Sequence, residues 1–137
     1  MTAKTEAYVD TSALIALADR SDSYHPLFRR LFSDPPGLFS TTLVVAEGHG
    51  WFLRRYDRHR ALQFLSLLEL MVPLRVLATT REDQAGATGL LRKFADQNLT
   101  VCDAVGLHLM SKQRTRVCWS TDYQLGLTGV PLVIHQY

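Results

Sequence analysis

The chain has 137 residues, of which 47% are hydrophobic and 20% charged, a composition that indicates one globular domain over residues 1–137 with a core that needs no disulfide or structural metal. Its formal net charge of +2 at pH 7 excludes neither nucleic acid nor protein as a partner, although arginines cluster between positions 54 and 60. No stretch approaches the ~20 apolar residues of a membrane span, and Asp10 interrupts the only early apolar run, so neither a membrane span nor a signal peptide is expected.

Strand-like and helix-like segments alternate along the chain without a linker, a repeat or a low-complexity tract. The predicted strands end at Val9 or span residues 38–41, 74–78, 117–119 and 130–134. The predicted helices follow Asp10 directly or span residues 23–32, 42–56 with Thr42 as cap, 58–71, 80–96 with Thr80 as cap, and 103–112. This alternation predicts a three-layer α/β/α domain with a mainly parallel sheet of four to five strands.

The two cysteines, Cys102 and Cys118, both stand in apolar surroundings. They indicate buried, reduced thiols and hence a cytoplasmic protein, although the sequence leaves a bridge between them open.

Three aspartates stand at predicted junctions or helix starts. Asp10 and Asp122 each follow a strand and precede a helical segment, so each could be an N-cap. Asp103 comes three residues after Thr100, which is the spacing of a capping box with Asp in place of Glu. For each aspartate alone, the capping and the functional interpretations both stay open.

Glu47 has no such structural explanation. In its predicted helix the residues three and four positions away are Leu43, Val44, Gly50 and Trp51, so no Arg or Lys lies within reach along the helix. A buried carboxylate without a partner normally neutralises, pairs or binds a metal. A functional role for Glu47 is therefore favoured over a long-range structural salt bridge.

Considered together, the four acids indicate a metal site. In a right-handed parallel sheet every strand-to-helix turn falls on one edge, so Asp10 and Asp122 share that edge, and Glu47 and Asp103 near helix starts can reach it. Such carboxylates would raise one another's pKa unless a cation were present. Oxygen ligands without a His or Cys cluster suit Mg²⁺ or Mn²⁺, which activates water and neutralises charge on a phosphate. The residues predict metal-assisted hydrolysis of a phosphodiester.

The sequence also resembles a known family in four ordered motifs. These are Val9-Asp10-Thr11-Ser12, Thr41-Thr42 followed by Glu47, Leu99-Thr100 followed by Asp103-Ala104, and Ser120-Thr121-Asp122. They resemble the acidic motifs of PIN-domain ribonucleases, and the length and order of the whole chain resemble a VapC-type toxin. The resemblance covers nearly the full length and is specific as an ordered set, since each motif alone is weak.

The resemblance implies an Mg²⁺- or Mn²⁺-dependent endoribonuclease that acts on RNA, is often a homodimer and is inhibited by a small antitoxin protein. By matching position, it implies that Asp10, Glu47, Asp103 and Asp122 are metal-binding catalytic residues. It further implies that the hydroxyl groups of Ser12 and Ser120 support those acids.

Other polar residues are assigned weaker roles. Asp96 matches an acid often seen upstream of the third motif and is interpreted as a helix-end or supporting residue rather than a direct ligand. The side chains of Arg54, Arg55 and Arg58 could follow an RNA backbone, which requires only positive charge, or form a solvated helix end. His49 is expected on a different helix face from Glu47.

Several rival functions are excluded by particular positions. A haloacid-dehalogenase phosphatase would need a second Asp where Ser12 stands, a response-regulator receiver would need an Asp at the end of the third strand, and no P-loop occurs. Two alternatives remain: a PIN-fold RNA- or protein-binding module whose acids are only caps, and an RNA-processing nuclease without an antitoxin.

Overall fold

The computed structural model of the chain describes residues 6–137, which form a three-layer α/β/α domain around a parallel sheet. The strands are β1 (Ala7–Val9), β2 (Leu38–Thr41), β3 (Leu74–Leu77) and β4 (Cys118–Trp119). The helices are α1 (Thr11–Ala18), α2 (His25–Ser33), α3 (Thr42–Arg55), α4 (Arg58–Glu69), α5 (Arg81–Lys93) and α6 (Val101–Lys112), followed by 3-10 helices at Tyr123–Gly126 and Val133–Gln136. None of the helices formed by residues 6–137 combines the length and the hydropathy required to cross a membrane.

The strand order across the sheet is β3-β2-β1-β4, and all neighbouring strands are parallel. The chain moves outward from β1 through β2 to β3 and then returns to place β4 on the other side of β1. Because such crossovers are right-handed, α1 to α4 cover one face of the sheet, and α5 and α6 cover the other. The winding therefore reverses between β1 and β4, and ligands of open α/β sheets bind beyond the carboxyl ends of the strands at such a reversal.

Side-chain caps start the helices that border this edge. The capping residues are Asp10 for α1, Thr41 for α3, Thr80 for α5 and Thr100 for α6. The prediction that Thr42 caps α3 is wrong. Thr41, the last residue of β2, accepts a hydrogen bond from the Val44 N–H at 3.2 Å, because the strand runs into the helix without a loop.

Helix α6 is buried on nearly every side, because it lies between the sheet and α5. Gly106 permits the close approach of α6 to the sheet, since a Cβ at this position would come within 2.9 Å of the Tyr8 ring. Tyr8 in β1 is fully buried and packs edge-on against Phe39, with 5.3 Å between the ring centroids. The middle of the sheet and α6 thus form one rigid core directly beneath the edge at which the winding reverses.

The predicted fifth strand at residues 130–134 is wrong. Only Leu132 pairs there, in an isolated parallel bridge with Cys118, and the chain then enters the 3-10 helix Val133–Gln136. Pro131 has no N–H to donate, and β4 offers only two residues, so the ladder cannot extend. Two helices also end earlier than predicted, α4 at Glu69 and α5 at Lys93.

Candidate active site

Asp10 follows β1 directly and is only 4% exposed. Its Oδ2 accepts hydrogen bonds from the Ser12 hydroxyl at 2.9 Å and the Ser120 hydroxyl at 3.0 Å, and a longer one from the Ser12 N–H at 3.4 Å. Its Oδ1 accepts no hydrogen bond from any of residues 6–137. One oxygen therefore anchors the carboxylate, and the other is open to a ligand.

The two serine hydroxyls also bind the backbone that follows β4. Ser12 Oγ accepts a hydrogen bond from the Thr121 N–H at 3.0 Å, and Ser120 Oγ accepts one from the Asp122 N–H at 2.9 Å. The two hydroxyl oxygens lie 3.1 Å apart, but each donates its proton to Asp10. The serines therefore join the ends of β1 and β4 and fix Asp122 relative to Asp10.

Asp122 and Asp103 each use one carboxylate oxygen as a cap. Asp122 Oδ1 accepts a hydrogen bond from the Gln124 N–H at 3.0 Å, and Asp103 Oδ2 accepts one from the Thr100 N–H at 3.2 Å within a complete capping box. The other oxygen of each aspartate accepts no hydrogen bond within the described chain. The capping interpretation is thus correct for both, and it leaves an oxygen free for a second role.

Glu47 lies in the first half of α3 and is half-buried. Its carboxylate forms neither a hydrogen bond nor an ion pair with any of residues 6–137. Helix α3 contacts α6, which carries Asp103, so the two acids belong to the same edge of the sheet.

The four carboxylates act on one another electrostatically. Burial, reinforced by the charge of Asp103, raises the pKa of Asp10 to about 6 in spite of the serine hydrogen bonds. Burial, followed by the charges of Asp122 and Glu47, raises the pKa of Asp103, although the hydrogen bonds with Thr100 oppose this. Asp103 therefore interacts with all three of the other acids, and the structure brings the four predicted residues into one electrostatic unit.

No cation of the described chain neutralises these acids. The ion pairs within residues 6–137 are Arg75–Glu6, His108–Asp83 and Lys112–Asp83, and none involves the four carboxylates. In the same part of the chain, no three His, Cys, Asp or Glu side chains are grouped closely enough to hold a metal ion as they are positioned.

The two cysteines are free, buried thiols next to the acids. Burial, followed by the charges of Glu47 and Asp10, raises the pKa of the Cys102 thiol. Burial, followed by the charges of Asp10 and Asp122, raises the pKa of the Cys118 thiol. Both thiols are therefore neutral near pH 7. The atoms at this edge that are free to bind a metal ion are carboxylate oxygens.

The remaining predicted residues lie outside this unit. Asp96 comes after the end of α5, is exposed, and forms no hydrogen bond or ion pair with residues 6–137, so its supporting role stays a prediction. Arg54 and Arg55 end α3 and Arg58 begins α4, and all three are exposed. His49 lines a separate cavity of about 430 Å³ with α4 and β3, away from the face of Glu47.

Sequence reasoning missed Ser40. This fully buried residue of β2 donates its hydroxyl proton to the Val9 carbonyl at 2.7 Å and so supports the strand end that carries Asp10. A serine inside an apolar strand was the only available signal. The Thr121 N–H that binds Ser12 left no signal, because a backbone group can occur with any side chain.

Comparison with known proteins agrees with the observed fold. A family model described as PIN domain matches residues 7–127. The 23S rRNA-specific endonuclease VapC20 of Mycobacterium tuberculosis is 26% identical over 123 residues, which cover 89% of this chain and 93% of that protein. The crystal structure of VapC20, described as a Sarcin-Ricin loop cleaving toxin, superimposes with a TM-score of 0.82 at 23% identity and covers 90% of this chain and 95% of that chain.

Two further structures share the fold at lower identity. A toxin-antitoxin complex from Klebsiella pneumoniae gives a TM-score of 0.61 at 17% identity over 92% of this chain and 94% of that chain. VapBC2 from Rickettsia felis, bound to a DNA fragment from its promoter, gives a TM-score of 0.63 at 9% identity over 93% and 97%.

Proposed function

Because the chain belongs to the PIN-domain family, whose model matches residues 7–127, we propose that it is a metal-dependent endoribonuclease. One observation carries this proposal. At the point where the winding of the sheet reverses, three aspartates each keep one carboxylate oxygen open beside the unpaired Glu47, and no cation of the described chain neutralises them. An arrangement of buried and half-buried acids that repel one another is unfavourable unless a ligand stabilises it.

The donor set fits Mg²⁺ or Mn²⁺. The open groups are hard carboxylate oxygens, and the neighbouring thiols are held neutral by burial. Mg²⁺ usually retains several waters and binds through one or two carboxylates, so the four acids need not contact one another directly. Asp10, Glu47, Asp103 and Asp122 would hold the ion directly or through water, and the bound ion would supply a water of lowered pKa and neutralise charge on the phosphate.

The protein's own groups have defined roles in this proposal. Ser12 and Ser120 hold Oδ2 of Asp10, so that Oδ1 is aimed at the ligand without reorganisation. The exposed Arg54, Arg55 and Arg58 would contact the phosphates of the RNA strand on either side of the cut. RNA is proposed as the substrate because the similar VapC20 is named as a 23S rRNA-specific endonuclease.

The proposal extends to partners and compartment. We infer a small antitoxin protein as an inhibitor, since a similar structure comes from a toxin-antitoxin complex, and we infer a homodimer acting in the cytoplasm, where free cysteines stay reduced. Growth arrest on induced expression, relieved by Asp10→Asn, would support the toxin role. An RNA-processing nuclease without an antitoxin would cut RNA without arresting growth.

The central experiment compares wild type with Asp10→Asn on total RNA in Mg²⁺ or Mn²⁺, with the cut ends mapped by sequencing. Wild type is expected to produce defined ends that disappear with EDTA, and Asp10→Asn should leave the RNA intact. Asp34→Asn is the matched control, because Asp34 is exposed in a cavity beside Pro36 and Val117, at the amino ends of the strands. Thermal unfolding verifies that each variant is folded.

Two results would contradict the proposal. If Asp10→Asn cut as fast as wild type, the acids would be structural caps only. If wild type bound RNA equally with and without metal and never cut it, the chain would be a PIN-fold binding module.

A further inference from the structure

One aromatic side chain next to the candidate site has no structural role within residues 6–137. Tyr123 follows Asp122 directly, exposes 70% of its surface, and forms no hydrogen bond or ring contact with any of residues 6–137. Most other aromatic rings at this edge, such as those of Tyr8 and Trp119, are buried in the core. Most of the Tyr123 side chain is therefore available to a ligand.

The backbone that carries this ring is held firmly. Asp122 accepts a hydrogen bond from the Gln124 N–H at 3.0 Å, and its own N–H donates to Ser120 Oγ at 2.9 Å. The Gln124 side chain also donates to Gln97 Oε1 at 3.4 Å, which ties the 3-10 helix to the segment after α5. A tyrosine side chain has only two rotatable angles. A ring attached to a backbone held in this way therefore loses little conformational entropy when it binds a ligand.

A second exposed apolar side chain belongs to α6, which packs against the 3-10 helix that contains Tyr123. Val101 begins α6 two residues before Asp103 and is 48% exposed. Asp103 and Asp122 interact electrostatically across this contact. Each of the two contacting helices therefore brings an open carboxylate and an exposed apolar group to this edge: Asp122 with Tyr123, and Asp103 with Val101.

An RNA strand presents flat bases beside its charged phosphates. Single-stranded nucleic acid is commonly bound by aromatic rings on which bases stack, because every base has a π-face. We propose that Tyr123 stacks on a nucleobase of the RNA next to the scissile phosphate and so positions the strand for cleavage. This inference rests on the proposed ribonuclease function.

The test uses Tyr123→Ala, Tyr123→Phe and a matched control, Tyr137→Ala. Tyr137 is also 70% exposed, but it lines the cavity beside Pro36 and Val117, at the amino ends of the strands. Total RNA treated with wild type locates a cut, and a synthetic RNA that spans this cut is the probe. Cleavage is measured in single turnover, on the intact probe and on probes with one abasic nucleotide at each position in turn.

Tyr123→Ala is expected to lower the single-turnover cleavage rate at subsaturating protein by roughly 5- to 150-fold, the range for loss of one stacked base, whereas Tyr123→Phe and Tyr137→Ala stay near wild type. At one nucleotide beside the cut, an abasic site should slow wild type by a similar factor and slow Tyr123→Ala no further. A merely structural role of Tyr123 would not produce this loss of sensitivity at a single nucleotide.

The inference is overturned if Tyr123→Ala stays as sensitive as wild type to every abasic site. It is also overturned if Tyr123→Phe is as impaired as Tyr123→Ala, which would assign the effect to the hydroxyl, or if Tyr123→Ala cleaves every probe as fast as wild type. Failure of the proposed function is distinct, because wild type itself would then cut no RNA in Mg²⁺ or Mn²⁺.

Discussion

Asp10 uses its two carboxylate oxygens for different purposes, and the sequence could suggest both purposes but not which oxygen serves each. Its position after a strand predicted a cap or a ligand, and its actual hydrogen bonds place three donors on Oδ2 and none from residues 6–137 on Oδ1. The partners Ser12 and Ser120 are 108 residues apart along the chain. Their contact depends on the pairing of β1 with β4, which no local sequence pattern specifies.

The raised pKa of Asp10 predicts a stability cost in the metal-free protein. Burial raises this pKa from 3.8 to about 6, so between these values the unfolded state is ionised while the folded state keeps its proton. Stability should therefore fall as pH rises through this window. At about 1.4 kcal/mol per pKa unit, the full cost above pH 6 is roughly 3 kcal/mol.

Asp10→Asn should consequently stabilise the metal-free protein at pH 7.5 and leave its stability nearly unchanged at pH 4. Urea unfolding in EDTA at both pH values measures the difference. Mg²⁺ should raise the melting temperature of wild type and leave that of Asp10→Asn unchanged. A variant less stable than wild type at pH 7.5 would mean that the hydrogen bonds to Oδ2 outweigh the burial of its charge.

Helix α3 shows how neighbouring glycines can serve different ends. A Cβ at Gly48 would overlap the ring of Phe64 in α4, so this glycine permits the close packing of the two helices. A Cβ at Gly50 would instead lie 3.1 Å from Nη1 of Arg54, whose guanidinium folds back over the helix toward the turn that holds Glu47. Glycine weakens a helix interior, and the sequence alone does not show which partner each of these two glycines contacts.

These contacts predict opposite results for two matched substitutions. Gly48→Ala should destabilise the protein by about 1–3 kcal/mol, because a buried ring must move. Gly50→Ala should leave stability unchanged or raise it by up to about 1 kcal/mol, since only a flexible side chain is displaced and Ala favours the helix. Urea unfolding measures both values, and equal destabilisation by the two substitutions would contradict this account.

Sequence patterns between residues close together in the chain predicted most helices and strands. The features that were not predicted depend on contacts between residues far apart in the chain. Thr80 and Thr100 cap their helices as predicted, because a cap depends on residues three positions apart. The link from Asp83 of α5 to His108 and Lys112 of α6, at 3.1 and 3.2 Å, depends on helix packing and was not predictable. The false fifth strand has the same origin, since its apolar residues are buried at 132 and 133 without a partner strand long enough to pair with.

For the whole molecule, the predicted three-layer α/β/α fold with a parallel sheet is confirmed, and the grouping of the four acids into a metal site stays a prediction. A parallel α/β order is sufficient to send every strand-to-helix turn to one edge, so the four acids could be grouped without any distance. The sheet order placed the reversal between β1 and β4, and the family model over residues 7–127 agrees with the resemblance in the motifs. The roles of the acids as metal ligands stay predictions, because the positions of the side chains alone do not demonstrate metal binding.

The distribution of charge predicts how RNA affinity depends on salt. The formal net charge is only +2, and the four acids at the sheet edge repel phosphate, so we expect binding to draw on exposed basic residues such as the arginines at the α3–α4 junction. Each arginine that neutralises one phosphate of a single strand should contribute about 0.7 to the slope of log K against log salt. The slope should fall by about this amount for each of Arg54→Gln, Arg55→Gln and Arg58→Gln that removes a phosphate contact.

The measurement uses the Asp10→Asn background, so that RNA binds without being cut, and fluorescence anisotropy over a range of KCl concentrations. Arg30→Gln is the control, because Arg30 lies in the cavity beside Pro36 and Val117 at the amino ends of the strands. An unchanged slope in all three junction variants would show that these arginines form a solvated helix end. A slope lowered equally by Arg30→Gln would show that RNA is held by general positive charge and not by the α3–α4 junction.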